Sequence, residues 1–237
     1  MRERQEPVGA AARQGRLTAS PSQDAGAKPE APPSIRNLDV NGTRAALLSV
    51  PPGYAPDRPA PLLVLLHGAG GDAQQAIGWL NELADAAGLI LLAPQSDGPT
   101  WDVIMGGYGT DVQRIDTALA ETFRDFAIDP TRVAIGGFSD GASYALSLGL
   151  INGALFRSVV AFSPGFAVPT RTEDHPRFFV SHGVADRVLP IDPCSRTLVP
   201  KLQSAGFDVL YREFEGGHTI PAPIAREAMD WMLRGNG

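Results

Sequence analysis

Short apolar runs alternate with amphipathic segments along most of the chain, from Arg44 to Leu233. The runs Leu62–Leu66 and Leu89–Ala93 are apolar on both faces, which is typical of strands buried inside a parallel sheet. Between them, apolar residues recur at helical spacing after Asp72, the expected N-cap, and before Gly88, the expected end of the helix. This alternation predicts the α/β class, with a doubly wound, mostly parallel sheet flanked by helices.

The same patterns predict the remaining elements. Further strands are expected at 45–50, 133–136, 158–162, 178–181 and 209–214. Further helices are expected at 111–126, with Asp111 as the N-cap, at about 141–150, and at 224–233. Only a short loop separates strand 158–162 from strand 178–181, so the sequence predicts no cap domain over the sheet.

The length and composition suit one folded domain preceded by a leader. The chain has 237 residues and 43% of them are apolar, which is enough to build a core without disulfides or metals. Residues 1–38 are instead rich in Pro, Ala, Gly, Ser and charge. Such a segment gains too little from burial to offset the entropy of ordering it. We therefore expect a flexible leader over 1–38 and a folded domain over 39–237, with docking of residues 15–18 as the alternative.

Charge and hydropathy argue against several classes of partner. The net charge is −6 and shows no basic stripe, so no nucleic-acid partner is expected. No run approaches the roughly 20 apolar residues that span a bilayer. Residues 1–37 lack the apolar centre of a secretory signal, so we expect a cytoplasmic protein. A single cysteine, Cys194, cannot form an intramolecular disulfide.

The strongest local signal is the segment Gly137-Phe138-Ser139-Asp140-Gly141, which lies between a predicted strand and a predicted helix. A serine on such a sharp turn has a strained backbone and presents its hydroxyl at the edge of the sheet. The glycines on either side let the strand and the helix pass closely. Ser139 is therefore the expected nucleophile of a hydrolase.

A serine hydroxyl needs a base to take its proton, and the chain has four histidines. In hydrolases built on this kind of turn, the base follows both the nucleophile and the acid along the chain. His67 precedes the serine, and His175 lies in a polar loop. His182 precedes the best candidate acid. His218, between the last predicted strand and the last helix, is therefore the expected base.

The acid should follow the strand at 178–181 and precede His218. Asp186 meets this condition, and its carboxylate would orient the imidazole and stabilise the charged form. Asp192 is the rival in the same loop. Asp208 falls at the start of a strand, on the wrong edge of the sheet, and Asp140 is expected to point away from the base.

Backbone N–H groups should stabilise the oxyanion that forms during acyl transfer. One is expected at Asp140, directly after the nucleophile. The other should come from the Gly-rich turn His67–Gly71, which lacks the lysine and spacing of a nucleotide-binding loop. Ala69 is the predicted second donor, with Gly70 as the close alternative. Gly68 and Gly70 are also expected beside the bound substrate.

Four segments together resemble a known family: LLHGAGGD, GGFSDGAS, SHGVADRVLP and EGGHTIP, in this order. From Arg44 to Leu233 the chain resembles the carboxylesterase and phospholipase-like α/β-hydrolases, including small esterases similar to polyhydroxybutyrate depolymerases. The resemblance implies the α/β-hydrolase fold, esterase or thioesterase activity, and no cofactor or metal. It also implies that the loop around Trp101 lies beside the acyl pocket, although an ordinary packed aromatic is the alternative for Trp101.

These observations predict a serine carboxylesterase that hydrolyses short- to medium-chain acyl esters through a Ser-His-Asp triad and an acyl-enzyme intermediate. A phospholipase, an acyl-thioesterase or a polyhydroxyalkanoate-oligomer hydrolase of the same fold are the alternatives. A non-catalytic binding protein is the hypothesis from another class, but such proteins usually lack a triad member or the oxyanion turn. The expected partner is a small-molecule ester, and the chain is expected to be a monomer or a homodimer.

Overall fold

One eight-stranded sheet organises the computed structural model, which describes residues 8–21, 34–40 and 43–234. Its strands are β1 (Ser34–Val40), β2 (Thr43–Val50), β3 (Ala60–Leu66), β4 (Ile90–Pro94), β5 (Ile128–Phe138), β6 (Ser158–Phe162), β7 (Arg177–Gly183) and β8 (Val209–Phe214). They lie in the order β1-β2-β4-β3-β5-β6-β7-β8. The pairs β1–β2 and β2–β4 are antiparallel, and all other neighbours are parallel. The predicted mostly parallel α/β sheet is confirmed.

Helices cover both faces of the sheet. Within the described residues they are α1 (Ala73–Ala87), α2 (Asp102–Met105), α3 (Thr110–Asp125), α4 (Asp140–Ile151), α5 (Ser195–Ser204) and α6 (Ala222–Leu233). α1 and α6 share a core with Leu63 and Leu65, whereas α3, α4 and α5 share the other core with Leu62 and Val64. Alternate residues of β3 thus enter opposite cores, and the whole strand is buried. Among the residues that the structure describes, no helix is both long and apolar enough to cross a membrane.

Several predicted boundaries match the structure closely. The strands expected at 158–162 and 209–214 are β6 and β8, residue for residue. Asp72 caps α1 by accepting a hydrogen bond of 2.7 Å from Gln75 N, and Gly88 ends the helix with a φ of 65°. The sequence does not predict α5, which contains Pro200 in its interior.

The prediction of Asp111 as an N-cap is wrong. α3 begins at Thr110, and its N-cap is Gly109. The Asp111 side chain is buried and accepts hydrogen bonds from Asp97 N (2.7 Å) and Asp102 N (2.8 Å). The carboxylate therefore accepts hydrogen bonds from two backbone N–H groups of the preceding loop. The capping pattern considers only neighbouring residues, so it does not predict hydrogen bonds to residues 9 to 14 positions earlier.

Strand β1 shows that the folded domain includes residues before the predicted boundary at 38. Composition places a flexible leader over 1–38, but β1 begins at Ser34 and pairs along β2. The predicted boundary at 38 lies inside a paired strand and is wrong. Residues 1–7 and 22–33 lie outside the described residues, and the leader stays a prediction there.

The segment around the 3₁₀ turn Ala12–Gln14 docks on the domain, so the flexible-leader prediction is wrong here as well. Leu17 N donates to Asn152 Oδ1 (2.8 Å), and Asn152 Nδ2 donates to Gly15 O (2.9 Å). Thr18 bonds to Asp116 through both its N–H and its hydroxyl. These partners lie about a hundred residues or more along the chain, so composition alone could not indicate them.

Candidate active site

Ser139 lies at the junction of β5 and α4, where the backbone has φ 57° and ψ −120°. A non-glycine residue rarely adopts this conformation, and such strain is typical of functional turns. The approach of strand and helix depends on Gly141, because a Cβ there would overlap the carbonyl oxygens of Leu66 and His67. The turn places the serine at the carboxyl edge of the parallel strands, where ligand sites of such sheets form.

His218 and Asp186 meet on neighbouring loops of the same edge. His218 Nδ1 lies 2.6 Å from Asp186 Oδ2, and the carboxylate side chain is fully buried. Ala185 N donates to Gly216 O (2.9 Å), which ties the loop after β7 to the loop after β8. Gly183 permits this approach, since a Cβ there would overlap the backbone of the second loop.

The loop after β7 also holds the carboxylate of Asp186 in its charged form. Asp186 Oδ1 accepts hydrogen bonds from Val188 N and Leu189 N, each 2.9 Å long. Burial alone would raise the pKa of Asp186, but the hydrogen bonds from His218, Leu189 and Val188 hold that pKa below its usual range. The rival acid, Asp192, lies apart: its exposed side chain pairs with Arg196 at 2.9 Å.

An aromatic contact joins the histidine to the serine turn. The ring of Phe138, the residue before Ser139, lies 4.5 Å from the His218 ring, centre to centre. Trp79 also contacts Phe138, with 5.4 Å between ring centres and an edge-to-face geometry. No hydrogen bond of Ser139 Oγ is present among the described residues. Catalytic hydrogen bonds are often loose without substrate and tighten in the complex.

The Gly-rich turn lies directly beside the serine. A Cβ on Gly68 would sit 3.4 Å from Ser139 Cβ. Gly70 N is engaged, because it donates to Pro99 O at 2.7 Å. Within the described part of the chain, Ala69 N and Asp140 N donate no hydrogen bond, so both remain open to a ligand oxygen. The geometry thus distinguishes Ala69 from Gly70, which the sequence left as close alternatives.

Residues 99–101 form hydrogen bonds with both turns that contain the candidate oxyanion donors. Thr100 Oγ1 donates to Asp140 Oδ2 (2.6 Å), and Trp101 Nε1 donates to His67 O (2.8 Å). The Trp101 side chain is completely buried and stacks between His67 and Tyr144. It therefore packs as an ordinary core aromatic, and the expected contact of Trp101 with substrate is not what the structure shows.

Two acidic residues, Asp102 and Asp111, hold this loop in place. Asp102 accepts hydrogen bonds from Tyr144 OH (2.8 Å) and Asp111 N (2.9 Å), while Asp111 accepts from Asp102 N. Burial raises the pKa of Asp102 and raises the pKa of Asp111 to about 6. The loop after β4 is thus fixed by two carboxylates, each of which accepts a hydrogen bond from the backbone N–H of the other residue.

The loop between β6 and β7, residues 163–176, contains no helix or strand. Gly165 N donates to Ser143 Oγ (2.9 Å), and Val168 N donates to Ser147 Oγ (3.0 Å), so the first part of the loop is tied to α4. Tyr108 OH donates to Val168 O at 2.8 Å. This loop is the place where a cap domain could stand, and it is short and anchored instead.

A serine–histidine hydrogen bond is present on the buried side of Asp186. His182 Nδ1 is 2.7 Å from Ser195 Oγ, and His182 Nε2 is 3.3 Å from Asp186 Oδ2. Neither His182 nor Ser195 has any exposed surface. Sequence reasoning set His182 aside because of its order along the chain and did not consider Ser195, since their contact joins a strand end to a helix that the sequence does not predict.

Comparison with known proteins gives concordant relatives. A family model described as phospholipase/carboxylesterase matches residues 108–231, which is more than half of the chain. A feruloyl esterase C of Emericella nidulans is 30% identical over 161 residues, covering 65% of this chain and 58% of that protein. An acetylxylan esterase of Coprinopsis cinerea is 26% identical, covering 77% of this chain and 48% of its own. This chain thus spans between about half and three-fifths of the length of these curated relatives.

Solved structures agree with the sequence relatives. The crystal structure of esterase PE8 is 26% identical, with a TM-score of 0.65, and the match covers 80% of this chain and 99% of that one. The S-formylglutathione hydrolase of Staphylococcus aureus, at 16% identity and a TM-score of 0.69, covers 88% of this chain and all of its own, and it supports the fold. From the extent of the family match, the chain belongs to the phospholipase/carboxylesterase family of α/β-hydrolases.

Proposed function

We propose that this chain is a serine carboxylesterase with Ser139 as nucleophile, His218 as base and Asp186 as the acid that orients the base. The observation that carries the proposal is the 2.6 Å contact between His218 Nδ1 and Asp186 Oδ2, on loops that adjoin the strained turn of Ser139. Carboxylate, imidazole and serine in this order are the parts that activate a hydroxyl for acyl transfer.

The proposed reaction follows from these positions. Asp186 accepts a hydrogen bond from Nδ1–H of His218, which leaves the lone pair on Nε2 to take the proton of Ser139 Oγ as that oxygen attacks the ester carbonyl. The N–H groups of Ala69 and Asp140 stabilise the oxyanion. Collapse of the tetrahedral intermediate breaks the ester bond, and His218 gives its proton to the departing alcohol. Water then attacks the acyl-enzyme with His218 as base, and release of the acid restores Ser139.

Ser195, His182 and Asp186 form a second set, with 2.7 Å between serine and histidine and 3.3 Å between histidine and carboxylate, and we assign it no nucleophilic role. Ser195 and His182 are wholly buried, so an ester cannot reach the hydroxyl in this conformation. By contrast, 14% of the His218 side chain is exposed, and Ser139 retains 7% exposure on its turn. The Ser195 hydroxyl is also engaged in a hydrogen bond with His182 Nδ1. The other ring nitrogen, Nε2, bonds to Leu189 O (2.8 Å).

We propose short- to medium-chain acyl esters as substrates. The short anchored loop at 163–176 leaves no cap to enclose a long acyl chain, and each methylene that stays in water forgoes about 0.8 kcal/mol of burial. We expect kcat/KM to peak at roughly two to six acyl carbons. A rate that keeps rising beyond twelve carbons, or a jump above the solubility limit of the substrate, would favour the phospholipase alternative.

Aromatic acyl esters are the second candidate. The relatives include feruloyl esterases, and Phe138 and Trp79 form an aromatic wall beside His218. A planar hydroxycinnamoyl group could stack on such a wall. Methyl ferulate and 4-nitrophenyl acetate, compared at equal concentration, separate the two candidates. Phe138→Leu should weaken methyl ferulate hydrolysis more than acetate hydrolysis if the aromatic acyl group stacks there.

A fluorophosphonate probe tests the proposed nucleophile directly. Ser139→Ala should abolish both covalent labelling and ester hydrolysis while circular dichroism stays that of the folded protein. Ser195→Ala is the matched control and should still be labelled at Ser139, as located by mass spectrometry of the modified peptide. Labelling that survives in Ser139→Ala and disappears in Ser195→Ala would overturn the assignment.

A further inference from the structure

The buried imidazole of His182 has a defined tautomer. Leu189 O, 2.8 Å from Nε2, can only accept a hydrogen bond, and so can ionised Asp186 Oδ2, 3.3 Å from the same nitrogen. The proton therefore sits on Nε2. Nδ1 is then an acceptor, and Ser195 Oγ donates to it at 2.7 Å. Burial lowers the pKa of His182, which keeps this neutral tautomer at the pH where an esterase works.

His182 closes a ring of hydrogen bonds around the carboxylate. Its Nε2–H binds Leu189 O, Leu189 N binds Asp186 Oδ1, and Asp186 Oδ2 faces the same Nε2–H. Asp186 Oδ2 is also the atom that accepts from His218 Nδ1. One oxygen thus lies between two imidazoles, a partly exposed one and a fully buried one.

We propose that His182, held in its tautomer by Ser195, is a positioning residue that fixes the carboxylate of Asp186 for His218; this inference rests on the proposed triad. Two N–H groups of its own loop hold Oδ1 of the carboxylate, whereas His182 reaches Oδ2 from β7. Since β7 is paired with β6 on one side and β8 on the other and its residues at this end are buried, it supplies a rigid reference that a loop alone does not. The charged or titratable groups acting on His182 are Asp186, His218 and Glu213.

Two substitutions separate the hydrogen bond from the bulk of the ring. His182→Leu fills much of the volume and donates nothing, and we expect kcat for 4-nitrophenyl acetate to fall roughly 10- to 100-fold with KM nearly unchanged. His182→Gln can place an amide N–H near the position of Nε2 and should stay within about fivefold of the parent. Equal losses in both variants, or full activity of His182→Leu, would overturn the proposal.

A double-mutant cycle tests whether His182 acts through Asp186. In an Asp186→Asn background, His182→Leu should lower kcat by less than about twofold further, because the group it positions has gone. A merely structural role would instead multiply the loss in both backgrounds. Ser158→Ala, a buried serine at the opposite end of the sheet, is the matched control for packing damage and should leave kcat unchanged.

Ser195→Ala keeps the test decisive even if His182→Leu fails to fold. Without the hydroxyl the imidazole loses the partner of Nδ1, so we expect kcat to drop several-fold, again with no further loss beside Asp186→Asn. Fluorophosphonate titration gives the fraction of active sites and so separates slower turnover from misfolded protein. Loss of labelling in Ser139→Ala together with an unchanged kcat in Ser195→Ala would refute the positioning role alone and leave the proposed nucleophile intact.

Discussion

Replacing Asn152 by Ala should destabilise the protein, because this residue fastens the N-terminal segment to the domain. Asn152 is 5% exposed, and its side chain bonds to Leu17 N (2.8 Å), Gly15 O (2.9 Å) and Leu148 O (2.9 Å). The first two bonds join the segment to the end of α4, and their loss leaves a backbone donor and acceptor partly buried without partners. We expect a loss of about 2–3 kcal/mol in the free energy of unfolding.

For a domain of this size that loss corresponds to a melting temperature lower by roughly 4–12 °C. The assay is thermal unfolding followed by circular dichroism at fixed pH, together with kcat/KM for a short-chain ester. Activity at 25 °C should change little, since Asn152 lies at the end of α4 opposite Ser139. Limited proteolysis should also cleave the variant faster between residues 8 and 21.

Deletion of residues 1–21 provides the decisive comparison. If the segment docks as described, Asn152→Ala should cost much less in the deleted protein than in the full chain, because the partners have already gone. Asn81→Ala is the matched control: Asn81 bonds to Ser49 and Asp85, away from the segment, so its effect should be the same in both backgrounds. A melting temperature of Asn152→Ala within about 1 °C of the parent, or full additivity with the deletion, would refute the reasoning.

Three further predictions concern the site. Asp186→Asn should lower kcat by up to about 10⁴-fold and His218→Ala by nearly as much, with the double variant little worse than either; a more severe effect of Asp192→Asn in the same assay would move the acid. Thr100→Val, which removes the hydroxyl bonded to Asp140, should reduce kcat roughly fivefold with KM unchanged, and Thr100→Ser should restore it; equal activity of all three proteins would show that this bond does not position the oxyanion donor. Because burial raises the pKa of Asp111 to about 6, its contribution to stability is greatest below the unfolded pKa of about 3.9 and is lost as the pH rises through 6. The free energy of unfolding relative to Asp111→Asn should therefore fall by about 3 kcal/mol between about pH 4 and pH 7, and a difference that stays flat in chemical denaturation would contradict this.

Local patterns predicted the elements that local forces determine. The Gly137–Gly141 segment indicates its turn because only small residues allow β5 and α4 to pass so closely. The order of serine, acid and histidine then selected Asp186 and His218, which the structure brings to 2.6 Å. In the sequence, Asp192 and Asp186 differ only by their place in the loop. In the structure, the Asp186 carboxylate faces the His218 imidazole, whereas the Asp192 carboxylate faces Arg196.

Contacts between distant segments were beyond the sequence patterns. Composition makes residues 8–21 look like a leader, since the side chains that hold the segment by hydrogen bonds, Asn152 and Asp116, lie far along the chain. The resemblance to a family suggested a substrate contact for Trp101, but burial of its ring depends on His67 and Tyr144, which lie far along the chain. Such long-range packing leaves no periodic trace in the sequence.

The loop between β6 and β7 is anchored in its first half and exposed in its second half. Ser143 and Ser147 hold its first half against α4, but Arg171 and Thr172 lie in the exposed second half. Extra residues inserted between these two would lengthen an exposed stretch of the loop and would keep the hydrogen bonds of Gly165 and Val168 to α4, the helix that follows Ser139. The peptide bond between Arg171 and Thr172 is therefore a place where the fold should tolerate an insertion, in natural divergence or in engineering.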